Sequence, residues 1–253
     1  MSRTALVVGA LAAAVALGVV AVWSVFLRDT VEPVGVDEAV TSFRTDTEST
    51  LDQLSPIPEG VYVYATDGYE KTDALTGVRH RYPSRSTITI TAADCGVSLL
   101  WRVLDGRSTE WIYCTTSDGW ELASQDEQHT FFGRTESTTY VCANTPIRPG
   151  RALLRWPVAC STDAAEETGY GRVVAQERIA VGGTSVATVH VLKTTSFTGE
   201  IRGTSEHDIW FDSKSGIPVK MNMVSRTTND SPVGDVHYEE DVTLRLASLR
   251  PRR

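Results

Sequence analysis

Histidines are the side chains of this sequence that most readily bind metals or move protons. The five are scattered along the chain, at His80, His129, His190, His207 and His237. None has a second histidine at the spacing that places two metal ligands on one strand or helical turn. His207, between Glu206 and Asp208, is the best metal candidate, although this pattern is more typical of a solvated strand end. We therefore expect no metal site.

Cysteines are the second chemical feature of the chain. They number four, at Cys95, Cys114, Cys142 and Cys160. Zinc sites and thioredoxin-like motifs need a C-x-x-C pair, which these spacings do not contain, so disulfide bonds are the better interpretation. Four cysteines allow three pairings, and four free thiols are a further alternative. We favour Cys95–Cys114 with Cys142–Cys160, because each pair flanks a turn signal, at 105–106 and at 149–150.

The first of these disulfides raises a question of strand register. A two-residue Asp-Gly turn at 105–106 would place Cys95 opposite Thr116 rather than Cys114. A diagonal neighbour of this kind is too distant for a disulfide. A four-residue loop or a bulge must therefore correct the register if the two cysteines are bonded.

Sequence patterns for catalysis are missing. No Gly-x-Ser-x-Gly elbow is present, and the segment 182–185 is better explained as a hairpin turn. The acidic residues at 239–241 are neighbours in sequence, and neighbours on a strand face opposite sides. No phosphate-binding loop and no G-x-G-x-x-G motif occurs. We therefore predict a non-enzymatic protein without catalytic residues or a cofactor.

The first 28 residues predict an uncleaved transmembrane signal anchor. The stretch 5–27 contains no charged residue and lies between Arg3 and Arg28. As a helix it would span about 34 Å, enough for a bilayer core of about 30 Å. A cleaved signal peptide is the alternative, but its apolar run is usually about 7–15 residues long and precedes small residues. Because the first cysteine is Cys95, a lipid anchor directly after the run is excluded.

Charge distribution predicts a single-pass protein of the cell membrane with a cytoplasmic N-terminus and an extracellular C-terminal domain. Arg3 lies on the inner flank, whereas Arg28 on the outer flank is offset by Asp29 and Glu32. Paired cysteines agree with an oxidising compartment. The acidic balance of the outer part disfavours nucleic acid as a partner. We expect the membrane as one partner, and lipid or another envelope protein as a second.

The chain divides into an anchor over 1–28, an acidic stem over 29–58 and an extracytoplasmic antiparallel β domain over 59–253. Apolar residues of the stem recur at helical spacing and predict a short amphipathic helix over 36–53. Its apolar side should lie against the β domain, with a partner-binding helix as the alternative.

The region after Val61 predicts a mainly β fold with a large curved antiparallel sheet. Runs of β-branched and aromatic residues, separated by glycine, asparagine and aspartate turn signals, predict about ten to twelve strands. Alternation is blurred over 188–192, which suggests that both faces of that strand are partly buried. Aromatic residues on these strands either line a concave site for lipids or sugars or form an ordinary β core.

Two segments of the second half resemble the bacterial lipoprotein-carrier-like fold. They are GGTSVATVHV at 182–191 and WFDSKSGIPVK at 210–220. In that family a glycine turn leads a long strand, and a later hairpin reads W-x-D-x-x-x-G-x-P. The segment 230–240 also resembles membrane-anchored proteins of GC-rich Gram-positive bacteria. The resemblance implies a half-barrel that shelters an apolar ligand or a partner's acyl chain, although the first half matches poorly.

Together these features indicate a membrane-anchored extracytoplasmic binding protein that holds an apolar or amphiphilic envelope molecule in a concave β-sheet. The ligand-binding residues stay unknown at this level. The alternative is a non-catalytic structural or assembly protein of the envelope that acts through a protein partner. An open apolar cavity of about 300 Å³ would favour the first function, and a packed interior would favour the second.

Overall fold

The computed structural model describes residues 29–47, 57–74, 77–116, 119–149, 155–231 and 234–253. The predicted anchor and the predicted helical residues 48–53 lie outside these ranges. Within them, no helix has the length and apolar character needed to cross a membrane.

Antiparallel strands make up most of the described chain. One helix, α1, covers Val36–Thr47. The strands are β1 Gly60–Thr72, β2 Val78–Arg81, β3 Arg85–Ala93, β4 Gly96–Leu104, β5 Arg107–Thr116, β6 Gly119–Phe131, β7 Arg134–Pro149, β8 Arg155–Ser161, β9 Ala165–Val181, β10 Thr184–Gly199, β11 Ile201–Asp212, β12 Pro218–Asn229 and β13 Val236–Leu246.

The sheet is a closed barrel and not the half-barrel that the resemblance implied. From β3 to β13 each strand pairs with its neighbour in sequence, and β13 then pairs with β1, from Tyr64↔Leu246 to Thr72↔Tyr238. β2 and β3 share the other edge of β1, so the ring has twelve strand positions. Closure leaves few unpaired strand edges, whereas the predicted open sheet would have had two.

Large apolar side chains fill the half of the barrel near the start of β1. Tyr62, Ile88, Trp101 and Leu244 face inward and have no accessible surface. Side chains without accessible surface leave no water-sized space beside them. The aromatic residues of the strands therefore form an ordinary β core in this half, as the second of the two sequence interpretations expected.

A bulge explains the blurred alternation in β10. The pairing between β9 and β10 shifts register between His190 and Val191. The extra residue is Val174 of β9, which has no partner in β10, so the phase of β10 relative to β9 changes at this point. Thr188 and Val191 are therefore both buried, although residues three positions apart on a regular strand face opposite sides.

Helix α1 lies on the outside of the barrel, as its apolar stripe predicted. Ala39, Val40 and Phe43 form a small apolar cluster with Val61 of β1. Acidic residues occupy the first turn of the helix, where they interact favourably with the helix dipole.

Residues 29–34, which we call the strap, fill an opening in the barrel wall. β4 extends beyond β3 here, and β2 pairs with β1 alone. The Val34 amide donates to the Val103 carbonyl at 3.3 Å, and the Asp105 amide donates to the Glu32 carbonyl at 2.8 Å. The strap therefore supplies backbone partners that the end of β4 would otherwise lack.

Both preferred disulfides are present, Cys95–Cys114 and Cys142–Cys160. A register shift between Arg102 and Leu104 places Gly96 opposite Cys114. This is the bulge that the two-residue turn at 105–106 required, and it brings the Cα atoms of Cys95 and Cys114 to 4.7 Å.

The second disulfide lies at a sparsely paired seam of the barrel. In the described residues β7 and β8 share two paired positions, Val141↔Ser161 and Cys142↔Cys160. By contrast, β4 and β5 have eight paired positions around the first disulfide. We infer that Cys142–Cys160 holds the β7–β8 seam together in the folded state.

Replacing Cys142 and Cys160 by serine should lower amide protection across β8, as measured by hydrogen exchange. The matched control replaces Cys95 and Cys114 by serine. The two disulfides close loops of 18 and 19 residues. Each double variant should therefore lose about 3 kcal/mol of unfolding free energy, because its unfolded chain gains conformational entropy. Equal protection of β8 in the two double variants would show that the disulfide does not hold this seam.

Candidate functional site

A largely buried ionic cluster occupies the interior of the barrel at the end where the strap lies. Its members come from the strap, β1, β2, β5, β6 and β13. The ionic cluster consists of Asp29, Glu70, His80, Arg107, Glu127, His129 and Glu240.

Strand register brings two of these carboxylates face to face. Glu70 of β1 is directly opposite Glu240 of β13, and two adjacent carboxylates repel each other. Arg107 bridges them: its Nη2 donates to Glu240 at 2.9 Å, and its Nε lies 3.7 Å from Glu70. The Tyr82 hydroxyl also donates to Glu240. Arg107 therefore supplies the charge that closure of the barrel at this level requires.

Two histidines join the remaining carboxylates into a chain. His80 places Nδ1 2.9 Å from Glu70 and Nε2 2.8 Å from Asp29. His129 places Nδ1 3.0 Å from Glu70 and Nε2 3.7 Å from Glu127. An imidazole can donate from both nitrogens only when it is protonated. The geometry therefore favours the charged form of both rings.

The pKa directions agree with that geometry. Burial raises the pKa of Glu70, but hydrogen bonds from His129 and His80 outweigh it and hold the pKa at about 2. Burial likewise raises the pKa of Glu127, and His129 and Arg107 lower it to about 2. Burial lowers the pKa of His80, yet Glu70 and Asp29 raise it overall. The pKa of His129 is also raised, by Glu127 and Glu70, against burial and the charge of Arg107.

The charges of the cluster compensate one another. Each charged group listed above has an opposite charge within ion-pair distance. None of them is an unpaired group that faces open space, as a group that binds a ligand would be. The described residues include no set of histidine, cysteine or carboxylate groups that could hold a metal ion. We therefore interpret the cluster as the polar part of the core.

His207, the strongest metal candidate from the sequence, lies inside the barrel rather than at a solvated strand end. Its Nε2 lies 2.9 Å from the Ser205 hydroxyl. Burial and the charge of Lys193 lower its pKa to about 3, which keeps the ring neutral. Asp208 faces the outside, where it contacts His190 at 2.6 Å, so His207 and its acidic neighbours do not converge on one point.

A groove on the outer face of β8, β9 and β10 is the best candidate for a binding site. It has a volume of about 890 Å³. Strand register arranges its side chains in rows: Arg155, Arg172 and Leu192 form one row, and Pro157, Tyr170 and Thr194 form the next. Apolar and cationic groups therefore lie side by side on an accessible surface.

Two arginines lie side by side in this groove. Arg155 and Arg172 are directly paired on adjacent strands, an arrangement that destabilises a sheet when both side chains carry the same charge. The Arg155 guanidinium lies 4.0 Å from the centre of the Tyr170 ring. In the described part of the chain neither arginine has a carboxylate partner. Tyr170 is 54% exposed, which is unusual for a large aromatic side chain.

Sequence reasoning did not find this groove, because it depends on which residues of β8 and β9 stand opposite each other. It named none of the three residues Arg155, Tyr170 and Arg172. The alternation over 155–161 and 168–172 shows which residues share a face, but only the pairing places the two arginines together.

Comparisons with known proteins do not assign the chain to a family. No family model matches it, and no curated protein matches it. A solved structure, that of the hypothetical lipoprotein YmcC from Escherichia coli (K12), gives a TM-score of 0.33 at 14% sequence identity, covering 78% of this chain and 94% of that one. A similarity at this level carries no argument about function, and the sequence resemblance to lipoprotein carriers stays a prediction.

Replacing Glu240 by glutamine should lower the unfolding free energy by about 3 kcal/mol, because the Arg107 charge then loses its closest partner inside the barrel. Glu239→Gln is the matched control. Glu239 faces outward on the same strand and pairs with Lys71, so its loss should cost less than about 1 kcal/mol. Urea unfolding at pH 7 measures both, and equal losses would contradict a special role for the buried ion pair.

His207→Gln should change how stability depends on pH. A histidine whose folded pKa is about 3 contributes stability above its unfolded pKa of 6.5 and loses it as the pH falls. The wild-type protein should lose about 2 kcal/mol from this residue between pH 7 and pH 5, and the variant should not. His237→Gln, which removes an exposed histidine, should retain the wild-type slope in urea unfolding measured across this range.

Proposed function

We propose that this chain is a non-catalytic, membrane-anchored extracytoplasmic binding protein, whose ligand is an amphiphile with an anionic head. The head would lie against Arg155 and Arg172, and the apolar part would lie along Pro157, Tyr170 and Leu192. The single observation that carries the proposal is the directly opposed arginine pair, which has no carboxylate partner among the described residues, beside an exposed tyrosine.

The outer groove replaces the interior as the proposed binding site. The apolar half of the barrel is filled by its own side chains, so it has no room for an acyl chain. The groove of about 890 Å³ exceeds the roughly 300 Å³ of a small ligand pocket. Guanidinium groups bind phosphate and carboxylate oxygens well, and two of them side by side suit a single anionic head.

A second candidate function is structural, in which the same surface contacts an envelope protein. The packed interior favours this function by the criterion stated above. Three large apolar side chains are exposed on the strands around the groove: Val141, Tyr170 and Val174. Exposed apolar groups on one surface are typical of protein contacts as well as of lipid contacts.

Native mass spectrometry of the full-length protein, purified with its disulfides intact from its own membranes, should detect a co-purifying mass in the lipid range. Titration with dihexanoylphosphatidylglycerol below its micelle concentration should then give saturable binding. Arg155→Gln/Arg172→Gln should weaken that binding about tenfold or more, because the anionic head loses both of its charged partners.

Arg134→Gln/Arg245→Gln is the matched control, since it removes the same charge outside the groove and should leave binding unchanged. The zwitterionic dihexanoylphosphatidylcholine should bind weakly to every variant. Equal affinity of the two double variants for the anionic lipid would contradict the proposed binding site for the head. A bare protein mass together with no binding of either lipid would favour the structural function.

A further inference from the structure

One charged side chain joins the strap to the barrel interior, where Val31 also packs against the apolar core and Val34 is buried. Asp29 is turned inward, and its carboxylate Oδ2 lies 2.8 Å from His80 Nε2. Its other oxygen, Oδ1, is buried and has no hydrogen-bond partner among the described residues. His80 therefore supplies the interaction that compensates this carboxylate for the loss of water.

The protonation of His80 decides whether the ring can donate to both carboxylates at once. With both ring nitrogens facing carboxylates, the neutral ring can donate to Glu70 or to Asp29 but not to both. Phe131 stacks on the ring at 5.0 Å and shields it. The other titratable or charged groups around the site are Glu70 of β1, Tyr82, Arg107 of β5, Glu127 and His129 of β6, and Tyr238 and Glu240 of β13.

These neighbours cannot replace the proton on His80. Arg107 is engaged by Glu240, and His129 is engaged by Glu70 and Glu127. Glu70 keeps His129 and Arg107 as charged partners, but a neutral His80 would leave Asp29 as a buried carboxylate with no charged partner among the described residues. Glu70 is fixed within β1, whereas Asp29 belongs to a strap that has few backbone bonds to the wall. The favourable response is for Asp29 to move into water.

We propose that His80 is a pH-operated latch, which holds the strap in the barrel wall when protonated and releases it when neutral. The raised pKa of His80 agrees with this direction, since the interaction is complete at or below about pH 6.5 and is lost as the pH rises through the higher folded value. Helix α1 stays on the barrel through its own apolar contact with Val61.

Release of the strap would lengthen the connection to the N-terminal segment. Seven extended residues, 29–35, add a reach of about 23 Å. If the protein is anchored as proposed above, the groove would then move farther from the membrane at higher pH. This consequence rests on the proposed function, whereas the latch itself does not.

Hydrogen exchange of the full-length protein at pH 6, 7, 8 and 9, with exchange times corrected for the intrinsic rate, tests the latch. Protection of the peptide covering 29–35 should fall about tenfold or more between pH 6 and pH 9. Protection of 97–101 in the wall should not change. His80→Gln should show the low protection of 29–35 already at pH 6. Asp29→Asn, a change confined to the strap, should remove the pH dependence, and it serves as the test variant if His80→Gln does not fold.

His237→Gln is the control and should keep the wild-type pH profile. Constant protection of 29–35 from pH 6 to pH 9 would overturn the latch, as would a loss shared with 97–101. Asp29→Asn should bind dihexanoylphosphatidylglycerol with unchanged affinity, because the groove lies on other strands. A failure of the latch and a failure of lipid binding are therefore separate results.

Discussion

Pairing between the first and last strands, β1 and β13, is the constraint on which the rest of the structure depends. It closes the barrel and brings together residues that are about 170 positions apart in the chain. The backbones approach closely at Gly68, where a Cβ atom would lie 2.4 Å from the Asp241 carbonyl oxygen. Closure also places Glu70 opposite Glu240, which makes the charge of Arg107 necessary. The ionic cluster is thus a consequence of the topology.

Local features of this fold could be predicted from the sequence because they depend on neighbouring residues. The start of helix α1 at Val36 follows from apolar spacing, and both disulfides follow from the turn signals between the cysteines. The assumed pairing also required either a four-residue loop or a bulge near the 105–106 turn, and the bulge is present. In each case the information lies within about twenty residues of the feature.

Closure, the ionic cluster and the groove could not be predicted in the same way. Each depends on register between strands, and a one-residue shift would exchange inward and outward side chains. Glu239 and Glu240 illustrate the point: alternation shows that they face opposite sides, but not which one enters the barrel. β1 pairs with both, Glu70 with Glu240 and Lys71 with Glu239, and it is the Glu70 side of β1 that faces the barrel interior. A half-barrel with the same strands would have left both residues near solvent.

The contributions of the titratable groups inside the barrel to stability change with pH in opposite directions. The contacts of His80 and His129 are strongest when the rings are charged, whereas His207 lies where burial and Lys193 keep it neutral. Acid therefore stabilises the strap end of the interior and destabilises the β11 wall, and the reverse holds at higher pH. Because these groups lie on different elements, pH can act on the attachment of the strap without acting equally on the wall. The outer groove contains no histidine, so its two arginines keep their charge throughout this range.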